Sequence, residues 1–416
     1  MNLFQELSSN GRCWVRWRYE RTRCSSLAFL VGGTANYRRS PRRSPTYSGL
    51  RNEGSRPPLS KTLKKLMTEG PVDWELARRI AARVAGDEPL SRSYLGDSLH
   101  KDFAEFTPLA EELVGVETRL ISTEGSARAR VIDREGWIDA NIRSFRRLLR
   151  PVLAESSDSG TTKSISSKVA AAELGAVLGW MSRRVLGQYD LLLAEDEDRD
   201  EQDLVYYVGP NVLAIEKKFA FDPKQFRLWL ALHELTHRSQ FTGVPWLRPR
   251  FLELVNQMLD EVEPDPDRLK QGLQDFVRMK RDGKDPMADG GVAQLFASER
   301  QKELLDAVGG MMSLVEGHGD VTMSRAAAGH VPHAQRFHRV MQERRNSASG
   351  VSRIMQKLMG LEAKLAQYQA GEDFIAAIEA QRGERAVDVI WEDPHHLPSM
   401  AEIRNPGSWM ERVSAA

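Results

Sequence analysis

The sequence predicts a mainly α-helical domain with a small β-hairpin or sheet beside one particular helix, and three observations carry that expectation. From Met67 onward, apolar residues recur at three- and four-residue spacing in segment after segment, the period of an amphipathic helix. One clear β signal, "LVYYVGPNVLAIEKKF" (204–219), has the β-branched and aromatic runs that favour strands. The chain has 416 residues and 41% apolar content, enough for a large core. No apolar run approaches the roughly 18 residues that a membrane span needs, so the expectation is a protein with no membrane partner.

Residues 1–66 stand apart. They hold 14 Lys or Arg against 3 acidic residues, which leaves the remaining 350 residues with 45 basic and 55 acidic groups. The Arg, Ser, Pro and Gly content of "YRRSPRRSPTYSGLRNEGSRPP" offers no apolar period, so this stretch cannot bury enough surface to offset its ordering entropy. It reads as a disordered basic extension. A nucleic-acid or membrane-binding tail, or a targeting peptide, would use the same arginines. The plainer reading is an over-long translation start, with the ordered domain spanning 67–416 and no nucleic-acid partner. Both cysteines, Cys13 and Cys24, fall in this extension. A body without cysteine has no disulfides and no thiolate chemistry, which fits a reducing, cytoplasmic setting.

The elements follow in order. In "VDWELARRIAARVAG", Asp73 is placed to cap a helix whose apolar residues Leu76, Ile80 and Val84 fall four apart. "GWIDANIRSFRRLLRPVLAE" (136–155) continues the helical period. "ESSDSGTTKSISSK" (155–168) reads as a loop, and "AAELGAVLGWMSRRVLGQYDLLL" (171–193), apolar nearly all round, as a central helix. "AEDEDRDEQD" (194–203) reads as an acidic exposed turn that serves solubility. In 204–219, Gly209, Pro210 and Asn211 give a hairpin-like turn signal between two strand runs. Then comes the helix "FRLWLALHELTHRSQF" (226–241), broken by "TGVPWLRP". Further helices run from Phe251 to about Lys280, a loop covers "RDGKDPMADGG" (281–291), and a long helical pattern carries "SLVEGHGDVTM" (313–323). Neither an internal repeat nor a convincing linker divides 67–416.

The helix at 226–241 holds the chemistry. Residues four apart share a helical face, so His233 and His237 can offer imidazoles to one ion while Glu234 reaches a water on it. Neutral imidazole suits zinc, and two nitrogens plus one carboxylate leave a fourth position for water. With 9 histidines in the chain, this spacing arises by chance in about one or two such chains per hundred. Trp229, Leu230, Leu232 and Leu235 make the helix largely apolar, where unpartnered imidazoles and a carboxylate would be costly to bury. A third ligand is sought in "LVEGHGDVTM". Glu316 and Asp320 are four apart and share a face, with His318 roughly opposite. Glu316 is the expected third ligand, and Asp320 the acceptor for the second N–H of a ligating histidine. His318 as ligand, or Glu316 and Asp320 as plain solvated charges, are the alternatives. Gly317 and Gly319 each cost about 1 kcal/mol in a helix, which suggests a close approach to the histidine helix. His330, His333 and His338 are candidates to stabilise an oxyanion, although each reads more simply as an ordinary surface or core histidine. His395 and His396 read as loop residues, and His100 has no evident partner.

These motifs carry a resemblance. "HELTH" with a downstream Glu-x-x-x-Asp resembles the gluzincin pattern of thermolysin-type proteases, although there the carboxylate follows after about twenty residues and here after nearly eighty. More closely, 67–416 resembles an actinobacterial zincin-like family described as hydrolases, zinc-dependent metalloproteases or proteins associated with deazaflavin coenzyme biosynthesis. The shared stretches are "VDWELARRIAARVAG", "ELGAVLGWMSRRVLGQYD", "YVGPN", "FRLWLALHELTHRSQFTGVPWLRP", "SLVEGHGDVTM", "KLAQYQAGEDF" and "LPSMAEIRNPGSWMERV". The resemblance implies a zincin-like metallohydrolase domain, and in such enzymes a strand beside the metal helix commonly binds extended substrate by strand addition.

The sequence therefore points to a zinc peptidase acting on a peptide or protein, with His233, His237 and Glu316 on zinc, Glu234 as general base and Asp320 supporting a ligand. A metal-stabilised binding or structural protein without turnover is the alternative; oligomeric state and cleavage specificity stay open. A chain beginning at Met67 is expected to keep the melting temperature and metal content of the full-length protein. A clear fall in either, measured by calorimetry and elemental analysis, would show that 1–66 packs on the body.

Overall fold

The computed structural model describes residues 72–87, 90, 93–149, 161–192, 198–261, 298–346 and 361–415. The chain divides into two units, 1–58 and 59–416, and every element below belongs to the second. The expectations for 1–66 and for the loop at 281–291 lie outside the described residues. No described helix is long and apolar enough to cross a membrane.

Helix α1 (Trp74–Ala85) begins where expected, with the Asp73 carboxylate accepting from Leu76 N–H. Its buried stripe is Trp74, Ala77, Ala81 and Ala85, whereas Leu76, Ile80 and Val84 are only half-buried. The small residues face α4 (Thr161–Ser182), where a Cβ on Gly175 would stand 2.5 Å from the Ala77 carbonyl and one on Gly179 would overlap that of Ala81. Two helices meet this closely only through alanine and glycine. Helix α4 also corrects two expectations. It starts at Thr161, inside the segment read as a loop, and it ends at Ser182. It is half-buried along much of its length and does not form the centre of the fold.

After α2 (Gly96–Thr118), β1 (Arg128–Ile132) and α3 (Arg134–Leu148), the chain forms α4, then β2 (Gly187–Tyr189) and β3 (Leu204–Val208). The sheet order is β1-β3-β2, with β1 parallel to β3 and β2 antiparallel to it. All five residues of β3 are buried. Val205 and Tyr207 join the core shared with α2, and Leu204, Tyr206 and Val208 face residues of α1, α3 and α4. A strand covered on both faces reads as a continuous apolar run, which is why "LVYYV" was conspicuous and its short partners were not.

The hairpin expected at 209–211 does not form. Gly209 opens helix α5 (Gly209–Phe219), with Pro210 in its first turn. Proline there has φ pre-set for a helix and lacks an N–H that would otherwise need a partner. Asn211 donates to the carbonyls of Ser182 and Val185 and accepts from Arg134 Nε, so "GPN" is a helix start pinned to its surroundings.

Helix α6 (Pro223–Gly243), capped by Asp222, lies at the centre of the fold and is buried on nearly every side. Its two buried arginines, Arg227 and Arg238, are about three turns apart and so share a face. Arg227 holds Glu216 of α5 and Asp102 of α2. Arg238 holds Asp203 through Nε and Nη2 and also reaches Glu111 of α2. Asp203 belongs to the segment read as an exposed acidic turn, yet it is buried. Its positive φ of 49° turns the chain into β3, and aspartate tolerates that region better than most residues.

Helix α7 (Leu247–Asp260) follows, in the stretch read as helical; from residue 262 to 297 that reading lies outside the described residues. Then come α8 (Glu299–Ala326), α9 (Ala334–Asn346), α10 (Leu361–Arg382), α11 (Met400–Arg404) and α12 (Pro406–Ala415). Helix α8 lies against both α6 and α10. A Cβ on Gly317 would stand 2.6 Å from Glu372 N of α10, and one on Gly371 would overlap the Ser313 carbonyl. Gly371→Ala should therefore destabilise the protein by about 1–3 kcal/mol, the usual scale of overpacking, read as a lower urea midpoint at unchanged slope. An unchanged midpoint would mean that α8 and α10 have room to separate.

Candidate metal centre

The local sequence places the first two groups. Helix α6 turns His233 and His237 to one side, where their rings meet edge to face at 4.7 Å between centroids. Helix α8 brings Glu316 opposite them. One ligand-type atom from each of His233, His237 and Glu316 lies within 4.8 Å of the others, and the Glu316 Oε2 to His237 Nε2 distance is 3.6 Å. Two donors about 2.1 Å from one tetrahedral zinc stand roughly 3.4 Å apart, so this pair is close to the spacing such an ion requires. All three side chains are partly buried.

Gly319 is where the close approach occurs, since a Cβ there would stand 3.1 Å from His237 Cε1. Gly317 was expected to face the histidine helix as well, but its bare side is turned to α10. The pair of glycines thus serves two neighbours, one on each side of α8.

His318 points away from the cluster. It is buried, its ring packs edge-on against Trp391 at 4.8 Å, and its nitrogens face Gln240 Nε2 (2.9 Å) and Thr322 Oγ1 (3.4 Å). Burial and the nearby Arg325 push its pKa down to about 3, so the ring is neutral. Asp320 is buried one turn beyond Glu316 and adds to the negative potential at His237. The hydrogen bond at His237 Nδ1, however, goes to Gln240 Oε1 at 3.0 Å, so the position foreseen for Asp320 is filled by Gln240 at this histidine. His100, His330, His333 and His395 are exposed, His338 bonds Gln342, and His396 bonds the Val389 carbonyl; none joins the cluster.

Glu234 is buried on the side of α6 that faces β2. Gly187 makes room for it, since a Cβ there would overlap the carboxylate, 2.7 Å from its Cδ. The Tyr189 backbone N–H lies near the carboxylate and favours its charged form. In β2, Asp190 N–H points inward to Leu204 O, and alternation along a strand turns the Tyr189 N–H outward, away from β3. The Tyr189 hydroxyl donates to Asp203, which also holds Arg238, and accepts from Arg248. A buried charged network therefore ties β2 to α6, and removing one member of such a pair costs about 3–5 kcal/mol.

Sequence reading missed Gln240, Gly187, Tyr189 and Asp203. Gln240 alone left a local signal, three residues beyond His237 and on the same helical face. The others depend on strand pairing and loop closure.

Burial pushes the Glu234 pKa up to about 8, against the opposing influence of His237; Glu316 pushes it further up and the Tyr189 N–H pulls it down. A carboxyl group with a raised folded-state pKa binds its proton better when folded, so stability falls as pH rises from the ordinary carboxylate range through about 8. The metal-free Glu234→Gln protein should lose this component. Its melting temperature should exceed that of metal-free wild type at pH values above about 8 and approach it in mild acid. Parallel profiles across that range would show that Glu234 is not held in a desolvated site.

Comparison with known proteins bears on this arrangement. Residues 72–410 match the model of the family described as zincin-like metallopeptidase. A solved structure described as "a putative hydrolase with a novel fold", from Chloroflexus aurantiacus, is 30% identical in sequence. It superposes with a TM-score of 0.59, over 83% of this chain and 99% of that one. No curated protein matches. The family match begins just before α1 and ends within α12, and a match of that extent shows that the chain belongs to the zincin-like metallopeptidase family.

Proposed function

We propose that this chain is a zinc-dependent peptidase in which His233, His237 and Glu316 hold the metal and Glu234 is the general base. The observation that carries the reading is the convergence of two imidazoles and one carboxylate from two helices to within 4.8 Å, each side chain only partly buried. The donor set of two neutral nitrogens and one oxygen is that of a catalytic zinc site rather than a closed structural one. Zinc bound there would supply Lewis acidity toward a carbonyl oxygen and bring the pKa of a water toward neutrality.

The chain's own residues account for the remaining chemistry. Glu234 takes a proton from the attacking water and delivers it to the departing amine nitrogen. Its desolvated seat favours holding that proton between the two events, and the nearby Tyr189 N–H favours giving it up again. The outer edge of β2 runs beside Glu234, and an extended peptide pairing with that edge would pass the carboxylate. That geometry favours a peptide substrate over a small ester.

Elemental analysis of protein purified without chelator is expected to give about one zinc per chain. Glu234→Gln should retain the metal and lose about 10²- to 10⁴-fold in hydrolysis of a peptide library, whereas Glu316→Ala should bind zinc substantially more weakly. Undiminished zinc binding by Glu316→Ala would remove Glu316 from the ligand set. A wild-type protein that holds zinc and cuts no peptide would favour a binding role.

A further inference from the structure

We infer that Gln240 locks the ring of His237 in the tautomer that a metal ligand needs, and that Gln240 takes its own orientation from the backbone carbonyl of Val315. The inference deepens the metallohydrolase reading and rests on it only in assigning His237 Nε2 to a metal.

The two ends of a glutamine amide have the same shape, so their neighbours decide which end is oxygen and which is NH₂. Gln240 is fully buried, and one end of its amide lies 2.8 Å from the Val315 carbonyl oxygen. A carbonyl only accepts, so the NH₂ group must be at that end. The amide oxygen then faces His237 Nδ1 at 3.0 Å. An amide oxygen only accepts as well, so Nδ1 must carry the hydrogen. In a neutral ring this leaves a lone pair on Nε2, the nitrogen 3.6 Å from Glu316 Oε2.

The same carbonyl fixes a second ring. The Gln240 NH₂ group also approaches His318 Nδ1 at 2.9 Å, which makes that nitrogen an acceptor and puts the His318 hydrogen on Nε2, toward Thr322 Oγ1. His237 and His318 are therefore held in opposite tautomers by one amide. Val315 immediately precedes Glu316, so the carbonyl that orients Gln240 and the carboxylate opposite His237 ride on the same turn of α8. A leucine of similar volume would fill the space, but it could do none of this. A buried amide is costly unless both of its ends are bonded, and here each end has a partner, with the Val315 carbonyl deciding which end donates.

The test uses the full chain labelled with ¹⁵N-histidine and freed of metal by chelator. Long-range proton–nitrogen spectra, recorded at a pH high enough for neutral rings, should show His237 protonated on Nδ1 and His318 on Nε2. His237 protonated on Nε2 would overturn the inference, and this reading needs no variant to fold and no zinc to bind. In Gln240→Leu, His237 should become a mixture of tautomers. Zinc affinity, measured by competition with a chromophoric chelator, should fall about 10- to 100-fold, the usual effect of losing a ligand's hydrogen-bond partner. A Gln240→Leu protein with wild-type zinc affinity and an unchanged His237 tautomer would also overturn it. If wild type takes up no zinc, the metallohydrolase reading fails, while the two tautomers still decide the role of Gln240.

Discussion

The centre of the molecule depends on how closely helix α8 can lie between its neighbours. On one side Gly319 meets the His237 ring, and on the other Gly317 meets the backbone of α10 near Gly371. A methyl group at these positions would push the helices apart, and with them Glu316 from the histidines. Close packing converts small volume changes into displacement because a well-filled interior has little slack. The helix-propensity cost of the two glycines is thus the condition for gathering three ligand-type groups from two helices.

A second constraint is electrostatic. Helix α6 carries Arg227, Glu234 and Arg238 in a buried setting, and a buried charge survives only when it is paired and hydrogen-bonded. The arginines meet that condition with Asp102, Glu216, Asp203 and Glu111. These partners come from α2, α5 and the turn before β3, so the need to neutralise one helix fixes the position of much of what surrounds it. Among the described residues Glu234 has no such cation. Its carboxylate lies near the Tyr189 N–H and His237, both of which favour its charged form against burial, the condition of a group kept ready for proton transfer rather than for structural pairing.

What could be read from the sequence was whatever lies within a few turns of one helix. The facing of His233 and His237, the position of Glu316 relative to His318, and the cap at Asp73 all follow from a 3.6-residue period and local hydrogen bonding. The sheet was only half legible. The buried strand β3 has an apolar run, but β1 and β2 are short edge segments whose residues are chosen by their neighbours, and "GPN" signals a turn and a helix start equally well. Asp203 looked like one more acid in an acidic run, because nothing local distinguishes the carboxylate that folds back onto Arg238. Gln240 was in plain view next to the histidines. Its meaning lay in Val315, seventy-five residues away.

The position of β2 also limits how this protein can vary in length. Neighbouring residues of a strand send their N–H groups to opposite sides, so moving β2 by a single position would exchange inward for outward. The Tyr189 position would then turn its N–H toward β3, and a residue with a side chain would take the place of Gly187 beneath the Glu234 carboxylate. The short connection between α4 and β2, residues 183–186, is therefore a spacer with fixed parity. A one-residue insertion or deletion there would turn Tyr189 out of the core and away from Asp203, and would unseat the Glu234 carboxylate as well.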